Sequence, residues 1–347
     1  MSGAAGTSFR VALSADLRAD TGAVSWGDIG LDELERAGVT WEFLPEETEA
    51  LRAADIDGYD AVLFAAPAVT AESVSGPNPP RLLARFGVGL DTVDVAACTR
   101  AGVAVTVTPD GARRSVATAA LTLMLAVGQR LLDKERLVRI GRWADRIDFM
   151  GRGLTGRTVG VLGLGGAATE LFAMLAPFAT TNLATDPMRD PDDAAAMGVE
   201  LVSLDELAAR SDVLVVLAPL TDSTRGCVDA RLIALMQPHA IIVNVARGPI
   251  VDTEALVLAL QEGRLFGAGL DVMDPEPLPL THPLLDLDNV VLTPHALAWT
   301  DEMALGNGSS AVRAILDVRA GRRPPFLVDD AVLDTLLHRS GAPAGLR

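Results

Sequence analysis

The stretch Thr158-Val-Gly-Val-Leu-Gly163-Leu-Gly165-Gly166-Ala167-Ala168 decides how this 347-residue chain is expected to fold. Its first five residues form a short, mostly apolar run, which predicts a buried strand. A glycine turn follows, and the segment Thr169–Phe178 is predicted to form a helix. A strand that passes through a glycine turn into a helix is typical of α/β folds with parallel sheets.

The same turn has the spacing of a dinucleotide-binding fingerprint. Gly163 permits the tight turn, Gly165 lets the backbone approach a pyrophosphate, and Ala168 stands where a third glycine is usual. The start of the helix, at Gly166 and Ala167, offers N–H groups and the positive end of a dipole to the anion. The alternative is a plain tight turn that binds no ligand.

A carboxylate further along the chain favours the dinucleotide interpretation. Asp186 lies 21 residues after Gly165, at the end of the predicted strand Asn182–Thr185. There it can accept hydrogen bonds from the ribose hydroxyls of NAD, and it would repel the extra phosphate of NADP. The nearby Arg189 makes this preference less strict, and Asp186 could instead be a turn residue. The sequence therefore predicts NAD as the cofactor.

Outward from this stretch, strand-like and helix-like segments alternate. The predicted strands are Phe9–Leu13, Trp41–Leu44, Ala61–Ala65, Leu82–Phe86, Val103–Thr108, Thr158–Leu162, Asn182–Thr185, Asp212–Ala218, Ala240–Val245, Phe266–Asp271 and Asn289–Leu292. An uninterrupted helix is predicted over Ser115–Ile140, and the final long helix over Asp301–Ala320.

The two series of strands predict two Rossmann-like or flavodoxin-like α/β domains, each with a parallel sheet, hinged around an active-site cleft. Residues 1–115 plus 299–347 are predicted to form a discontinuous substrate domain. Residues 116–298 are predicted to form the NAD-binding Rossmann domain. The last helix would then pack back on the first domain.

Composition excludes several classes of function. The formal net charge of −17 opposes binding to nucleic acid or an anionic membrane. No apolar run has the length of a membrane span, and the N-terminus lacks the pattern of a signal peptide. Cys98 and Cys227 lie far apart, so we expect no disulfide framework, no metal site and a cytoplasmic location. The single lysine and tyrosine, Lys134 and Tyr59, argue against Schiff-base chemistry and a Tyr-x-x-x-Lys dehydrogenase.

Three segments that follow predicted strands contain the residues expected to carry the chemistry. They are Asn244-Val-Ala-Arg247-Gly-Pro-Ile-Val-Asp252, Gly269-Leu-Asp271-Val-Met-Asp-Pro-Glu276-Pro277-Leu and Leu292-Thr-Pro-His295. Open α/β sheets place their sites at the carboxyl ends of strands, so we expect these segments to lie close together.

In spacing, order and flanking residues, these segments resemble the D-isomer-specific 2-hydroxyacid dehydrogenases. The resemblance extends over nearly the whole chain and includes Gly87-Val-Gly-Leu-Asp-Thr-Val-Asp94 and Leu154-Thr-Gly-Arg-Thr-Val-Gly-Val-Leu-Gly-Leu-Gly165. It implies an NAD-dependent oxidoreductase that interconverts a small 2-keto acid and its D-2-hydroxy acid, commonly as a homodimer. The predicted helix at 115–140 would pack against the second subunit.

The resemblance also implies a role for each matching residue. Arg247 would bind the substrate carboxylate and carbonyl oxygen, His295 would transfer the proton, and Glu276 would hydrogen-bond to that histidine. Asp271 would lie near the nicotinamide amide, and backbone N–H groups around Val88 and Gly89 would hold the carboxylate. The alternatives are structural: Arg247 in an ion pair, Glu276 as a solvated acid, His295 and the Gly87–Gly89 turn as structural features, and Asp271 satisfying local amides.

The chemistry explains these residue types independently of the resemblance. Hydride transfer to a 2-keto acid leaves an alkoxide, which needs a proton and nearby positive charge. Histidine exchanges protons near neutral pH, and a neighbouring carboxylate favours the imidazolium and holds the ring. Arginine stays charged and presents a planar fork that matches a carboxylate.

Two departures from the family pattern and two rival functions remain open. Thr118 stands where the family usually has a glutamate, and Trp299 stands before Thr300, where the family commonly has glycine or another small residue. An NAD-sensing regulatory or scaffold protein, of the kind that the C-terminal binding proteins represent, would keep the fold with little turnover. A related nucleotide-dependent hydrolase or amino-acid dehydrogenase would normally need other residues, often a lysine.

Overall fold

The computed structural model describes residues 9–339 of the chain. The chain divides into two compact units, one formed by the residues up to 112 together with those from 299 onward, the other by residues 113–298. Each unit contains a parallel sheet flanked by helices, so the predicted fold class of two α/β units is confirmed.

The elements are numbered in chain order over the described residues. The strands are β1 (Arg10–Leu13), β2 (Thr40–Phe43), β3 (Ala61–Phe64), β4 (Leu82–Arg85), β5 (Ala104–Thr106), β6 (Thr158–Leu162), β7 (Thr181–Thr185), β8 (Val199–Leu201), β9 (Val213–Val216), β10 (Ile241–Asn244), β11 (Gly267–Leu270) and β12 (Val290–Leu292). The α-helices are α1 (Asp32–Arg36), α2 (Ala53–Ile56), α3 (Val95–Arg100), α4 (Pro109–Gly128), α5 (Leu131–Arg139), α6 (Gly166–Leu175), α7 (Pro191–Ala196), α8 (Leu204–Arg210), α9 (Ala230–Leu235), α10 (Thr253–Gln261), α11 (Asp301–Arg319) and α12 (Leu333–Arg339).

The first unit is built on a five-stranded sheet in the order β2-β1-β3-β4-β5. All of its strand pairs are parallel, which requires helical crossovers that cover the sheet. Helix α11 buries Met303, Ala311 and Ile315 in one core cluster with side chains of β1 and β4. The long helix that follows the second unit is therefore part of the first unit's core.

The second unit is built on a seven-stranded parallel sheet in the order β12-β11-β10-β9-β6-β7-β8. From β6 the chain adds strands first on one side, β7 and β8, and then on the other, β9 to β12. The strand order thus reverses between β6 and β9, and open α/β sheets bind their ligands beyond the carboxyl ends of strands at such a point. Buried side chains cover both faces of the sheet.

Local sequence signals account for several element boundaries. The side chain of Asp94 caps α3 by accepting from the Ala97 N–H, and Asp252 caps α10 by accepting from the Ala255 N–H. Ser203 and Glu206 form a capping box at the start of α8. Strand β8 was not among the predicted strands, because its three residues include an exposed glutamate and lack the apolar pattern of a buried strand.

The uninterrupted helix predicted over Ser115–Ile140 is wrong. Helix α4 ends at Gly128, and α5 continues at an angle of 59° to it. Arg130, between the two, has a left-handed backbone (φ 52°), and the Arg152 N–H donates to the Gly128 carbonyl (2.7 Å) in place of a helical partner. Of the helices in residues 9–339, none alone has the length and apolarity of a membrane span, which α4 and α5 reach only when counted together.

Candidate active site

The three predicted catalytic segments leave three adjacent strands of the second unit. Arg247 lies three residues after β10, Glu276 six residues after β11, and His295 three residues after β12. Because these strands are parallel neighbours, their carboxyl ends meet at one edge of the sheet. The glycine turn follows β6 at the same edge.

His295 and Glu276 are in direct contact. The His295 Nδ1 atom lies 2.9 Å from the Glu276 Oε2 atom, and the other carboxylate oxygen accepts the Met273 N–H at 2.7 Å. The glutamate is therefore oriented by its own loop while it holds the imidazole. The two side chains keep 45% and 35% of their surface exposed, so solvent and a substrate can reach the pair.

Asp271 holds the loop that carries His295. Its Oδ1 atom accepts hydrogen bonds from the Thr293 hydroxyl (2.6 Å) and from the N–H groups of Ala296 and Leu297 (3.1 Å each). Its own carbonyl accepts the His295 N–H at 2.7 Å. The Asp271 side chain is buried. Its contacts are those of the structural alternative, in which the carboxylate accepts hydrogen bonds from local backbone amides.

These contacts explain an unusual backbone at the candidate acid. His295 has a positive φ of 53°, a left-handed conformation that few residues other than glycine adopt without cost. Four hydrogen bonds to one buried aspartate fix the loop and maintain that conformation. The direction in which the imidazole leaves the loop is thus set by Asp271.

Arg247 lies on the loop next to the one that carries Glu276. Its carbonyl accepts from the Asn244 side-chain amide at 2.9 Å, and Asn244, which is buried, also accepts the Ala246 N–H at 3.0 Å. A Cβ atom added to Gly248 would lie 1.8 Å from the Met273 carbonyl oxygen, so the two loops are in backbone contact. Arg247 itself is half-buried, with its Nη1 donating to the Ala246 carbonyl at 2.7 Å. Asn244 is a positioning residue that the sequence did not reveal.

The glycine turn has the geometry that a pyrophosphate needs. Gly163 has a φ of 94°, and a Cβ atom there would lie 2.6 Å from the Ala218 Cα atom. A Cβ atom at Gly165 would meet nothing within 4 Å, so a ligand can approach the backbone. The first hydrogen bond of α6 runs from Thr169 to Gly165, which places the N–H groups of Gly166 and Ala167 ahead of the helical ladder. The turn therefore fits a dinucleotide.

Asp186 is tethered to the same turn. One carboxylate oxygen accepts the Leu164 N–H and the other accepts the Met188 N–H, both at 2.8 Å. Arg189 donates from its Nε to the Leu164 carbonyl at 2.7 Å, so this arginine also lies at the turn. Both interpretations of Asp186 are compatible, since each oxygen keeps a lone pair after its turn hydrogen bond.

Val88 and Gly89 belong to the first unit, in the loop after β4. Gly87 before them donates its N–H to the Thr108 hydroxyl oxygen and accepts the Thr108 N–H at its carbonyl, and the Gly89 carbonyl accepts from the Arg85 Nε at 3.2 Å. The loop is thus fixed at both ends, while the Val88 side chain is exposed.

The two departures from the expected pattern have local partners. The Thr118 hydroxyl donates to the Arg114 carbonyl at 2.9 Å. Trp299 packs against Trp26 in the first unit with ring centroids 4.5 Å apart, and Trp26 packs in turn against Phe86 at 5.3 Å. Within residues 9–339, no three His, Cys, Asp or Glu side chains are grouped as a metal site.

The chain is similar in sequence and in fold to several known proteins. Residues 121–296 match the family model described as "D-isomer specific 2-hydroxyacid dehydrogenase, NAD binding domain". A glyoxylate reductase of Thermococcus onnurineus is 37% identical over 260 residues, which cover 73% of this chain and 78% of the relative. A D-3-phosphoglycerate dehydrogenase of Mycobacterium leprae is 37% identical over 320 residues, 92% of this chain but only 58% of that relative. A crystal structure of a Thermus thermophilus protein matches 92% of this chain and 100% of its own, with a TM-score of 0.81 and 31% identity.

Proposed function

Since this chain belongs to the D-isomer-specific 2-hydroxyacid dehydrogenase family, we propose that it interconverts a small 2-keto acid and its D-2-hydroxy acid. The family resemblance, the dependence on NAD and the oxidoreductase class predicted from the sequence are confirmed by these matches. The observation that best supports the proposal is the 2.9 Å contact between His295 and Glu276 at the sheet edge where the glycine turn lies.

The residues around the glycine turn would hold the dinucleotide. Gly163 and Gly165 shape the turn, Gly166 and Ala167 present N–H groups, and Asp186 accepts from the adenosine ribose. Asp271 is proposed to lie near the nicotinamide amide, in addition to its observed role in the His295 loop. Bound NADH supplies the hydride for reduction of the keto acid.

His295 would supply the proton during that reduction. Hydride addition turns the substrate carbonyl into an alkoxide, and an imidazolium at the same oxygen neutralises it. Glu276 fixes the orientation of the ring through the Nδ1 contact, which leaves the Nε2 N–H to face the substrate. In the oxidation direction the neutral ring would accept the same proton.

Arg247 would bind the substrate carboxylate and polarise the reacting carbonyl. Its planar guanidinium can donate two parallel hydrogen bonds, and the chain needs such a local positive charge because its net charge is −17. The N–H groups around Val88 and Gly89 are proposed to complete the carboxylate site. A small anionic substrate is consistent with the relatives named as glyoxylate reductases.

Turnover with a panel of keto acids tests the proposal. The purified chain should oxidise NADH in the presence of at least one of glyoxylate, hydroxypyruvate, pyruvate or phenylpyruvate, and wherever the hydroxy acid formed is chiral the product should be the D-isomer. His295→Asn is the matched variant, because asparagine also tolerates a left-handed backbone. It should lower kcat by roughly 10²–10⁴-fold and leave NADH affinity unchanged.

The panel also separates this proposal from its rival. An NAD-sensing regulatory or scaffold protein would bind NADH but turn over no member of the panel. Turnover that survives in His295→Asn would instead remove the histidine from the proton-transfer role.

We further propose a homodimer and a cytoplasmic location. Helix α5 and the segment after it expose a group of large apolar side chains, which are Leu131, Leu132, Val138, Ile140, Trp143, Ile147 and Met150. Exposed apolar groups of this extent are typical of subunit interfaces. Light scattering should give twice the chain mass, and Ile147→Asp should shift the measured mass toward that of the monomer.

The cysteines support the proposed cytoplasmic location. Cys98 and Cys227 are free thiols, as in proteins of reducing compartments, and cell fractionation tests the location.

A further inference from the structure

Arg113 lies directly against the first residue of helix α6. A Cβ atom added to Gly166 would come within 2.6 Å of both the Cδ and the Nε atoms of Arg113, and within 2.9 Å of its Cγ. Both residues belong to the second unit. The arginine side chain, from Cγ to Nε, therefore packs against the helix N-terminus beside the glycine turn.

The glycine at position 166 needs an explanation of its own. In the spacing G-x-G-x-x-G/A, the residues that must be small are Gly163, Gly165 and Ala168, whereas position 166 is free to vary. The backbone of Gly166 does not have a positive φ either, so its conformation is open to any residue. What the missing side chain provides is room for Arg113.

The charge of Arg113 suits the ligand that this turn is built to hold. A pyrophosphate carries two negative charges, and the partial positive charge of a helix N-terminus neutralises only part of them. Guanidinium groups bind phosphate oxygens through paired, charge-assisted hydrogen bonds. Because the chain has a net charge of −17, the positive charge of Arg113 beside the turn locally offsets a negative background.

Two carboxylates near the start of α6 have partners of their own. Asp186 accepts the N–H groups of Leu164 and Met188, and Glu170, one turn into α6, is paired with Arg114 at 3.3 Å. We propose that Arg113 is a dinucleotide-binding residue whose guanidinium pairs with the pyrophosphate at the N-terminus of α6, and that Gly166 makes this approach possible. The inference rests on the proposed use of the glycine turn for NAD.

Arg114 provides a matched control. It is the next residue on the same helix and has the same charge and similar exposure, but it faces Glu170 rather than Gly166. Successive residues of a helix point about 100° apart, so the two neighbouring arginines contact different parts of the protein. A general effect of net charge would change both variants equally.

The experiment is a set of equilibrium titrations with NADH, ADP-ribose and adenosine. Arg113→Gln should raise the Kd for NADH and for ADP-ribose by about 10- to 100-fold, the loss expected for a charged hydrogen-bonding partner, and leave the Kd for adenosine unchanged. The NADH affinity of the variant should also depend less on salt than that of the parent chain. Arg114→Gln should stay within about twofold of the parent for all three ligands, since it removes only an exposed ion pair.

A double-mutant cycle tests the part assigned to the glycine. Gly166→Ala should weaken NADH binding in the parent chain by displacing Arg113, but it should have little further effect in the Arg113→Gln background. Unliganded melting temperatures show whether each variant is folded.

Three outcomes would overturn the proposal. An unchanged NADH Kd in Arg113→Gln excludes the contact, and an equal loss with adenosine excludes the pyrophosphate as its partner. Equal effects of Gly166→Ala in both backgrounds would separate the glycine from the arginine. If the parent chain binds no NADH at all, the proposed function fails together with this inference, which distinguishes that case from a failure of Arg113 alone.

Discussion

Replacing Asp271 by alanine removes the carboxylate oxygen that accepts three hydrogen bonds from the loop carrying His295. Two of the donors are backbone N–H groups, and the aspartate is 4% exposed, so water cannot fully replace the lost acceptor. Hydrogen bonds to a charged group contribute roughly 1.5–3 kcal/mol each, but such contributions are not additive. We therefore expect Asp271→Ala to lower the free energy of unfolding of the second unit by about 3–5 kcal/mol.

The Asp271→Asn variant separates the contribution of charge from that of geometry. Asparagine keeps one acceptor oxygen in the same place, so the loss should be roughly 1–2 kcal/mol. For a unit of this size each kcal/mol lowers the melting temperature by about 2–4 °C, which predicts a decrease of about 6–20 °C for alanine and 2–8 °C for asparagine.

The assay combines thermal unfolding with steady-state kinetics on the same preparations. Both variants should lose turnover, because the left-handed backbone of His295 is no longer held, and Asp271→Ala should lose more. A parent-like melting temperature in Asp271→Ala would contradict the role of Asp271 as the support of the loop, and so would destabilisation with an unchanged kcat. In the second case the loop would not set the position of the imidazole.

Three further predictions concern single side chains. Arg247→Lys keeps the charge but loses the planar fork, so kcat/KM should fall at least about tenfold while the melting temperature changes little; a lower melting temperature with normal kinetics would assign Arg247 a structural role. Asp186→Ala should narrow the preference for NADH over NADPH, measured as the ratio of the two kcat/KM values, and a parent chain that prefers NADPH would contradict the role given to Asp186. Burial raises the pKa of the Cys98 thiol to about 11, so its reactive thiolate should be scarce below that pH. Cys98 should therefore resist thiol reagents at pH 8 and react on unfolding, and fast labelling in the native state would contradict its burial.

Much of the fold follows from local sequence signals. The apolar runs place eleven of the twelve strands found in residues 9–339, and side-chain caps such as Asp94 and Asp252 place helix starts, because both signals act within a few residues. The break at Arg130 could not be found in this way. A left-handed arginine has no sequence marker, and the partner of the Gly128 carbonyl, the Arg152 N–H, lies 24 residues away.

The candidate site, too, could be predicted only in part from the sequence. Each residue type could be justified by its chemistry, and the family resemblance paired His295 with Glu276, but spacing alone could not bring together two side chains 19 residues apart. The contacts of Asp271 depend on two loops from neighbouring strands, so only three-dimensional packing identifies it as the support of the His295 loop. In the sequence Arg113 looks like an ordinary solvated helix residue. Its position beside the turn is visible only in the structure, where its side chain occupies the space that a side chain at residue 166 would fill.

The support that Asp271 gives to the His295 loop allows scaffold and chemistry to be lost separately during evolution. A descendant of this chain that exchanged His295 for asparagine and let Glu276 drift would keep its glycine turn and its loop, yet would have no proton donor. Selection for a folded, dinucleotide-binding protein would still retain Asp271. The aspartate in a homologous sequence therefore marks inheritance of the architecture, whereas the histidine and the glutamate together mark an enzyme that still turns over.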